Sequence, residues 1–205
     1  MANEEDAARK LFAGPCAFVA GAATAQSMPP SRLPEVAFAG RSNVGKSSLI
    51  NALVGNAKLA RVSATPGRTR QINFFRLSDR LMLADLPGYG FARASGAEKA
   101  RWAGLITDYL QTRAPLKRVM LLVDARRGVM AADREAMALL DRTAISYQAV
   151  LTKIDEVKAR EALMAGVAEQ LRAHAAAHPD VIATSAKTGE GLPSLRVALS
   201  RLASR

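Results

Sequence analysis

The sequence predicts an α/β domain in which a mostly parallel β-sheet is covered by helices on both faces. Three observations carry that expectation. Strand-like and helix-like segments alternate from residue 35 onward, the pattern of crossover connections between parallel strands. Val119-Met120-Leu121-Leu122-Val123 is apolar throughout, as a strand buried on both faces must be. And Gly40-Arg41-Ser42-Asn43-Val44-Gly45-Lys46-Ser47 fits G-x-x-x-x-G-K-S. It stands between an apolar stretch at 35–39 and a helix at 48–53 with Leu49, Ile50 and Leu53 on one face.

Residues 1–32 read as an N-terminal extension, with a helix at 4–12 and an extended piece at 18–20. Pro29, Pro30 and Pro34 exclude regular structure ahead of the first strand. A single domain follows over 33–205. After its first helix, 56–70 has no sustained period and contains Pro66-Gly67, so it reads as a functional loop. This region is basic: between 56 and 80, Lys58, Arg61, Arg68, Arg70, Arg76 and Arg80 stand against Asp79 alone. Segments 71–77 and 80–84 read as strands joined tightly at Ser78-Asp79, hence an antiparallel pair. Helices are expected at 97–111, 132–142, 157–176 and 192–202, and further strands at 147–151 and 181–183. The sheet so predicted has six strands, one of them antiparallel.

Composition narrows the function classes. The chain is 49% hydrophobic but only 5% aromatic, which suits one large aliphatic core. Cys16 is the sole cysteine, so no disulfide framework is possible within the chain and a reducing compartment is expected. The start Met1-Ala2-Asn3-Glu4-Glu5-Asp6 is acidic, unlike a signal peptide, and no apolar run approaches a membrane span. A cytoplasmic protein, monomeric and without a membrane partner, is the expectation. The net charge of +11 points to an acidic partner, nucleic acid first and an anionic membrane surface second, against the plainer alternative of a solvated excess that serves solubility.

The glycines of the 40–47 run let backbone N–H groups converge on a phosphate chain, with the N-terminus of the next helix behind them. Lys46 adds a charge at the β and γ phosphates, and the Ser47 hydroxyl suits Mg²⁺. Asp85-Leu86-Pro87-Gly88 ends a strand, where ligands of such sheets gather. Asp85 is a second Mg²⁺ candidate, and the Gly88 N–H can meet the γ phosphate. Thr152-Lys153-Ile154-Asp155 follows another buried strand. A carboxylate only accepts hydrogen bonds, and guanine offers an N1–H beside a 2-amino group where adenine has no such pair. Asp155 therefore selects guanine, with the Lys153 stem over the base. Thr184-Ser185-Ala186 follows the last strand and can donate backbone N–H groups to the guanine carbonyl. An adenine-specific ATPase or kinase is the competing enzyme class, against which Asp155 argues. An RNA-binding module whose nucleotide pocket only controls docking is the competing non-enzyme class. His174 and His178 stand one helical turn apart, but two ligands without a third make solvated positions the simpler reading.

These elements, in this unpermuted order, resemble the Ras-like GTPase fold. More closely, the chain resembles the EngB (YihA or YsxC) family of bacterial ribosome-biogenesis GTPases. That resemblance rests on Leu33-Pro34-Glu35-Val36-Ala37-Phe38-Ala39-Gly40, Pro66-Gly67-Arg68-Thr69, Ile72-Asn73-Phe74-Phe75 and Asp85-Leu86-Pro87-Gly88-Tyr89-Gly90. It implies a G domain over 33–205 that binds GTP and GDP, with Thr69 as a further Mg²⁺ ligand beside Ser47. Gly67, Arg68, Thr69, Arg70 and Gln71 would line the nucleotide. It also implies a role in assembling the large ribosomal subunit through rRNA contacts. Two departures from Ras-like practice stand out. Thr152 replaces the usual Asn, and Tyr89 replaces the Gln that orients water, so slow intrinsic hydrolysis is expected. Related GTPases that lack this Gln and carry Asn at the Asn43 position use K⁺. Asn43 is thus a candidate K⁺ ligand, or else a residue that tolerates an unusual loop dihedral. Lys46, Thr69, Gly88 and Asn43 are the expected catalytic set.

Overall fold

A computed structural model of the chain describes residues 2–30, 32–60, 71–90 and 96–203. Thirteen elements run in the order α1 (Ala2–Ala13), β1 (Cys16–Ala22), β2 (Glu35–Gly40), α2 (Lys46–Val54), β3 (Ile72–Leu77), β4 (Leu81–Asp85), α3 (Gly96–Thr112), β5 (Leu116–Asp124), α4 (Ala131–Arg142), β6 (Tyr147–Thr152), α5 (Arg160–Leu171), β7 (Ile182–Ala183) and α6 (Leu192–Ala203). The strands form one sheet in the order β1-β3-β4-β2-β5-β6-β7. Only β3 opposes its neighbours, pairing antiparallel with β1 and β4, while β2 pairs parallel with β4 and β5.

Strand pleating divides the core in two. Val119, Leu121 and Val123 of β5 face one side with Leu105, Ile106 and Tyr109 of α3, Met137 of α4 and Val167 of α5. Met120 and Leu122 face the other side with Leu11 and Phe12 of α1, Leu49, Ile50 and Leu53 of α2, and Leu195 and Leu199 of α6. Helices thus cover both faces, as expected for strands that read apolar throughout.

The sheet has seven strands rather than six. Residues 16–22 of the expected extension form β1, which pairs with β3 along the edge, with a bulge between Phe18 and Ala20. α1 packs its Leu11 and Phe12 into the core beside α6. The sequence marks only 18–20 as extended, because the small residues around that piece lack alternation and its partner lies far along the chain. The helix expected at 157–176 ends at Leu171. Asp141 captures the continuation, accepting from the Ala176 N–H at 3.0 Å and pairing with His174 Nδ1 at 2.6 Å. His174 is therefore a hydrogen-bond partner of Asp141, and no group of three potential metal ligands occurs among the described residues.

One buried ionic cluster braces the lower edge of the sheet. Glu35, fully buried at the start of β2, accepts from Tyr109 OH at 2.7 Å and from Arg113 Nη2 at 2.7 Å. Arg113 also donates to the Pro29 carbonyl at 2.8 Å and lies over the Phe74 ring.

Candidate active site

The loop between β2 and α2 is shaped by two left-handed residues, Asn43 at φ 63° and Gly45 at φ 101°. Gly45 caps the amino end of α2, and its carbonyl accepts the first helical bond, from the Leu49 N–H at 2.9 Å. Asn is among the few side-chain residues that adopt this region readily, so the backbone alone accounts for Asn43. Gly40 is required by close approach: a β-carbon there would lie 2.8 Å from Val44 Cγ1 and 3.1 Å from the Leu122 carbonyl oxygen.

Past Asp85 the chain continues alongside this loop. Leu86 N–H donates to the Phe38 carbonyl, Tyr89 N–H to Gly40, and Ser42 N–H back to Tyr89, at 3.0 to 3.2 Å. That ladder presses Gly88 onto the loop, where a β-carbon would come within 3.1 Å of Ser42 Oγ and 3.2 Å of Ser42 N. Ser42 Oγ is buried and has no hydrogen-bond partner among the described residues. Lys46 Nζ is ion-paired with the buried Asp85 carboxylate, which joins the helix start to the end of β4. Ser47 lies on the first turn of α2.

Tyr89 turns away from this site. It is 7% exposed, and its hydroxyl donates to Asp133 Oδ1 at 2.9 Å. Burial and the adjacent Asp133 carboxylate raise its pKa well above the usual phenol value, so it stays neutral.

The carboxyl ends of β6 and β7 complete the group. Thr152 Oγ1 donates to the Val44 carbonyl at 2.7 Å, so the Thr fastens the phosphate loop from below. Lys153 adopts φ 59°, and its ammonium bridges the Asn43 carbonyl and Asp124 Oδ2, each at 2.9 Å. The stem consequently crosses Gly45, whose β-carbon position lies 3.7 Å from Lys153 Cε. Ile154 N–H donates to the Thr184 carbonyl at 3.1 Å, which binds the two loops together. The Ser185 hydroxyl beside the Asp155 carboxylate favours its charged form and lowers its pKa from the ordinary carboxylate value. Ser185 and Ala186 follow in the turn before α6, closed by Gly189 N–H to the Ser185 carbonyl at 3.0 Å.

The structure thus brings together Gly40 to Ser47, Asp85 to Gly88, Thr152 to Asp155 and Thr184 to Ala186. Gln71 lies just ahead of β3, its side chain against Gly21 and bonded to Asn73 at 3.0 Å. Arg61, Gly67, Arg68, Thr69 and Arg70 lie outside the described residues, as does 91–93 beyond Gly90. Sequence reading passed over Asp124, Arg126 and Asp133. The only available signal was an acid at the carboxyl end of a buried strand, here Asp124.

A mostly parallel sheet carrying this phosphate loop and these β4, β6 and β7 termini defines a P-loop GTPase. The family description "50S ribosome-binding GTPase" matches residues 35–153, and "Elongation factor Tu GTP binding domain" matches residues 109–205. The chain is 53% identical over 198 residues to the probable GTP-binding protein EngB of Gluconobacter oxydans, covering 95% of this chain and 87% of that one. It is 50% identical over 217 residues to its counterpart in Rhodospirillum rubrum, covering 100% and 94%. A crystal structure of a probable GTP-binding protein EngB is similar at TM-score 0.68 and 27% identity, covering 83% of this chain and 98% of that chain. Era in complex with MgGDPNP and nucleotides 1506–1542 of 16S ribosomal RNA shares the fold, with TM-score 0.64, 20% identity, and coverage of 84% and 57%. The chain belongs to the EngB family of GTP-binding proteins and is a GTPase.

Proposed function

We propose that this GTPase is a Mg²⁺-dependent GTP/GDP switch in assembly of the large ribosomal subunit, reading particle state through rRNA contacts in the cytoplasm as a monomer. The observation that carries the reading is Lys46 paired with Asp85 beside a Gly88 seated on Ser42. Nucleotide phosphates entering this cradle must separate that ion pair and bear on the chain just past β4. The family description of a ribosome-binding GTPase and the net charge of +11 support an RNA-rich partner. No described helix is long and apolar enough to cross a membrane.

The donor set fits Mg²⁺: a buried carboxylate at Asp85 and a hydroxyl at Ser47 are hard oxygen ligands close to the phosphate loop. Ser47, Asp85 and, by resemblance, Thr69 would hold the ion, which when bound neutralises charge on the phosphate oxygens. The chain's own groups then act directly. Lys46 binds the β and γ phosphates, the Gly88 N–H donates to the γ phosphate, and the Asp155 carboxylate accepts from guanine while the Lys153 stem covers the base.

Intrinsic hydrolysis should be slow, because Asp133 engages the only side chain that stands where a water-orienting Gln is common. The same feature keeps a second reading in play, in which nucleotide controls docking and hydrolysis is negligible. Co-sedimentation with ribosomal particles, GTP-bound against GDP-bound, tests the switch. We expect salt-sensitive binding to large-subunit particles that depends on the nucleotide, and equal binding in both states contradicts it. Multiple-turnover phosphate release on those particles separates the two readings. Run in K⁺ and in Na⁺ at equal ionic strength, it also reports whether Asn43 adds an ion-binding role: equal rates leave Asn43 its backbone role alone.

A further inference from the structure

We propose that Asp124 is a specificity-determining positioning residue of the guanine site, acting through Lys153. This rests on reading Lys153 and Asp155 as the base-binding pair. Asp124 ends β5 and is buried, yet nothing in nucleotide binding or hydrolysis as described above uses it. Its Oδ2 accepts from Lys153 Nζ at 2.9 Å and from Arg126 Nη2 at 2.7 Å. Its Oδ1 accepts from Arg126 Nε at 2.9 Å and from the Arg126 N–H at 3.1 Å. Arg126 Nη1 reaches on to Glu156 Oε2 at 3.1 Å, beside Asp155 in the same turn. One carboxylate therefore ties the strand end directly to Lys153 and, through Arg126, to Glu156 next to Asp155.

Two physical facts make the tie consequential. Lys153 sits in the left-handed region, which disfavours a residue with a β-carbon, so its conformation needs external support. Its ammonium has one neutral acceptor, the Asn43 carbonyl, and one charged acceptor, Asp124; charge-assisted bonds are roughly twice as strong. Burial disfavours the ionised Asp124, but the bonds from Arg126 and Lys153 outweigh it and hold the carboxyl well below the usual range. The charged form that Lys153 needs is thereby maintained at every working pH. Without it, the Lys153 stem loses its fixed line across Gly45, and the base loses its cover.

Calorimetric titration of the full chain with GDP and with ADP tests the proposal. Asp124→Asn should raise the GDP Kd about tenfold to a hundredfold, the loss of a charged hydrogen bond. It should leave the ADP Kd unchanged, raise KM for GTP, and spare kcat at saturation. Lys153→Met should weaken GDP binding similarly. The Asp124→Asn/Lys153→Met double variant should bind no worse than Lys153→Met alone, because the two residues act as one unit. Additive losses in that cycle, or a fall in kcat with GDP affinity intact, overturn the proposal. If Asp124→Asn folds poorly by thermal melt, Arg126→Lys serves in its place with a smaller expected GDP loss, and unchanged GDP affinity there also overturns it. Unmutated protein with no preference for GDP over ADP refutes the base-site reading itself. A clear preference with an additive cycle refutes only the part assigned to Asp124.

Discussion

Tyr89→Phe separates an anchoring role from a catalytic one at the residue after Gly88. The substitution keeps the ring in its core position and removes only the hydroxyl that donates to Asp133 Oδ1 at 2.9 Å. Asp133 is 1% exposed, so water cannot replace the lost donor. A hydrogen bond to a charged group contributes about 1.5–3 kcal/mol. Asp133 retains the Met130 N–H at 2.9 Å, which favours the lower half of that range. For a chain of this size, about 2–4 °C of melting temperature accompanies each kcal/mol, so a drop of about 3–9 °C is expected. The phenol's pKa is raised by burial and by Asp133. The stability it contributes is therefore complete below its unfolded value near about 10 and is lost as pH rises through the folded value. The gap between Tyr89→Phe and the unmutated protein should accordingly be constant from neutral pH to about 9, then close at higher pH. Thermal melts across pH, with single-turnover GTP hydrolysis alongside, measure both quantities. An unchanged melting temperature with a tenfold loss of hydrolysis would refute the anchoring argument and make Tyr89 a participant in the chemistry.

Arg113→Ala leaves the Glu35 carboxylate buried with Tyr109 as its remaining side-chain donor, and breaking a buried pair in this way costs about 3–5 kcal/mol. Melting should fall by about 6–20 °C, and a loss under about 3 °C would mean that the cluster is more hydrated than its burial indicates. Gly191→Ala adds a β-carbon at φ 71° that would lie 1.8 Å from the Ala183 carbonyl oxygen. Left-handed strain alone costs about 1–2 kcal/mol. The overlap must in addition displace the backbone before Thr184, so both a lower melting temperature and faster GDP dissociation are expected, and a GDP off-rate unchanged in a destabilised variant would uncouple this turn from the base site.

The parts of the site that were legible in the sequence are those whose chemistry is local. The phosphate loop needs its glycines and Lys46 within one strand-to-helix turn, and Asp85 and Asp155 announce themselves by following buried strands. What escaped the sequence depends on distant pairs. β1 exists because β3 offers it an edge, and nothing in its run of small residues signals that. The direction of Tyr89 is set by Asp133, 44 residues on, which looks from sequence like an ordinary acid in the first turn of a helix. Thr152 could be recognised as a departure from Asn, but its bond to the Val44 carbonyl, across 108 residues, needed the fold. The overlong α5 is the opposite error, with local helix preference overridden by Asp141.

The central claim is that Asp155, in the turn just past β6, makes this a guanine-specific switch. Nucleotide affinities of unmutated protein and of Asp155→Asn for GDP, XDP and ADP test it most directly, because the amide donates where the carboxylate accepted. The account predicts strong preference for GDP over ADP in the unmutated chain, since a site built on such hydrogen bonds rejects mismatched partners steeply. It predicts that Asp155→Asn weakens GDP binding and comes to favour XDP. Comparable affinity of the unmutated protein for GDP and ADP, or an Asp155→Asn variant that still prefers GDP, would contradict it.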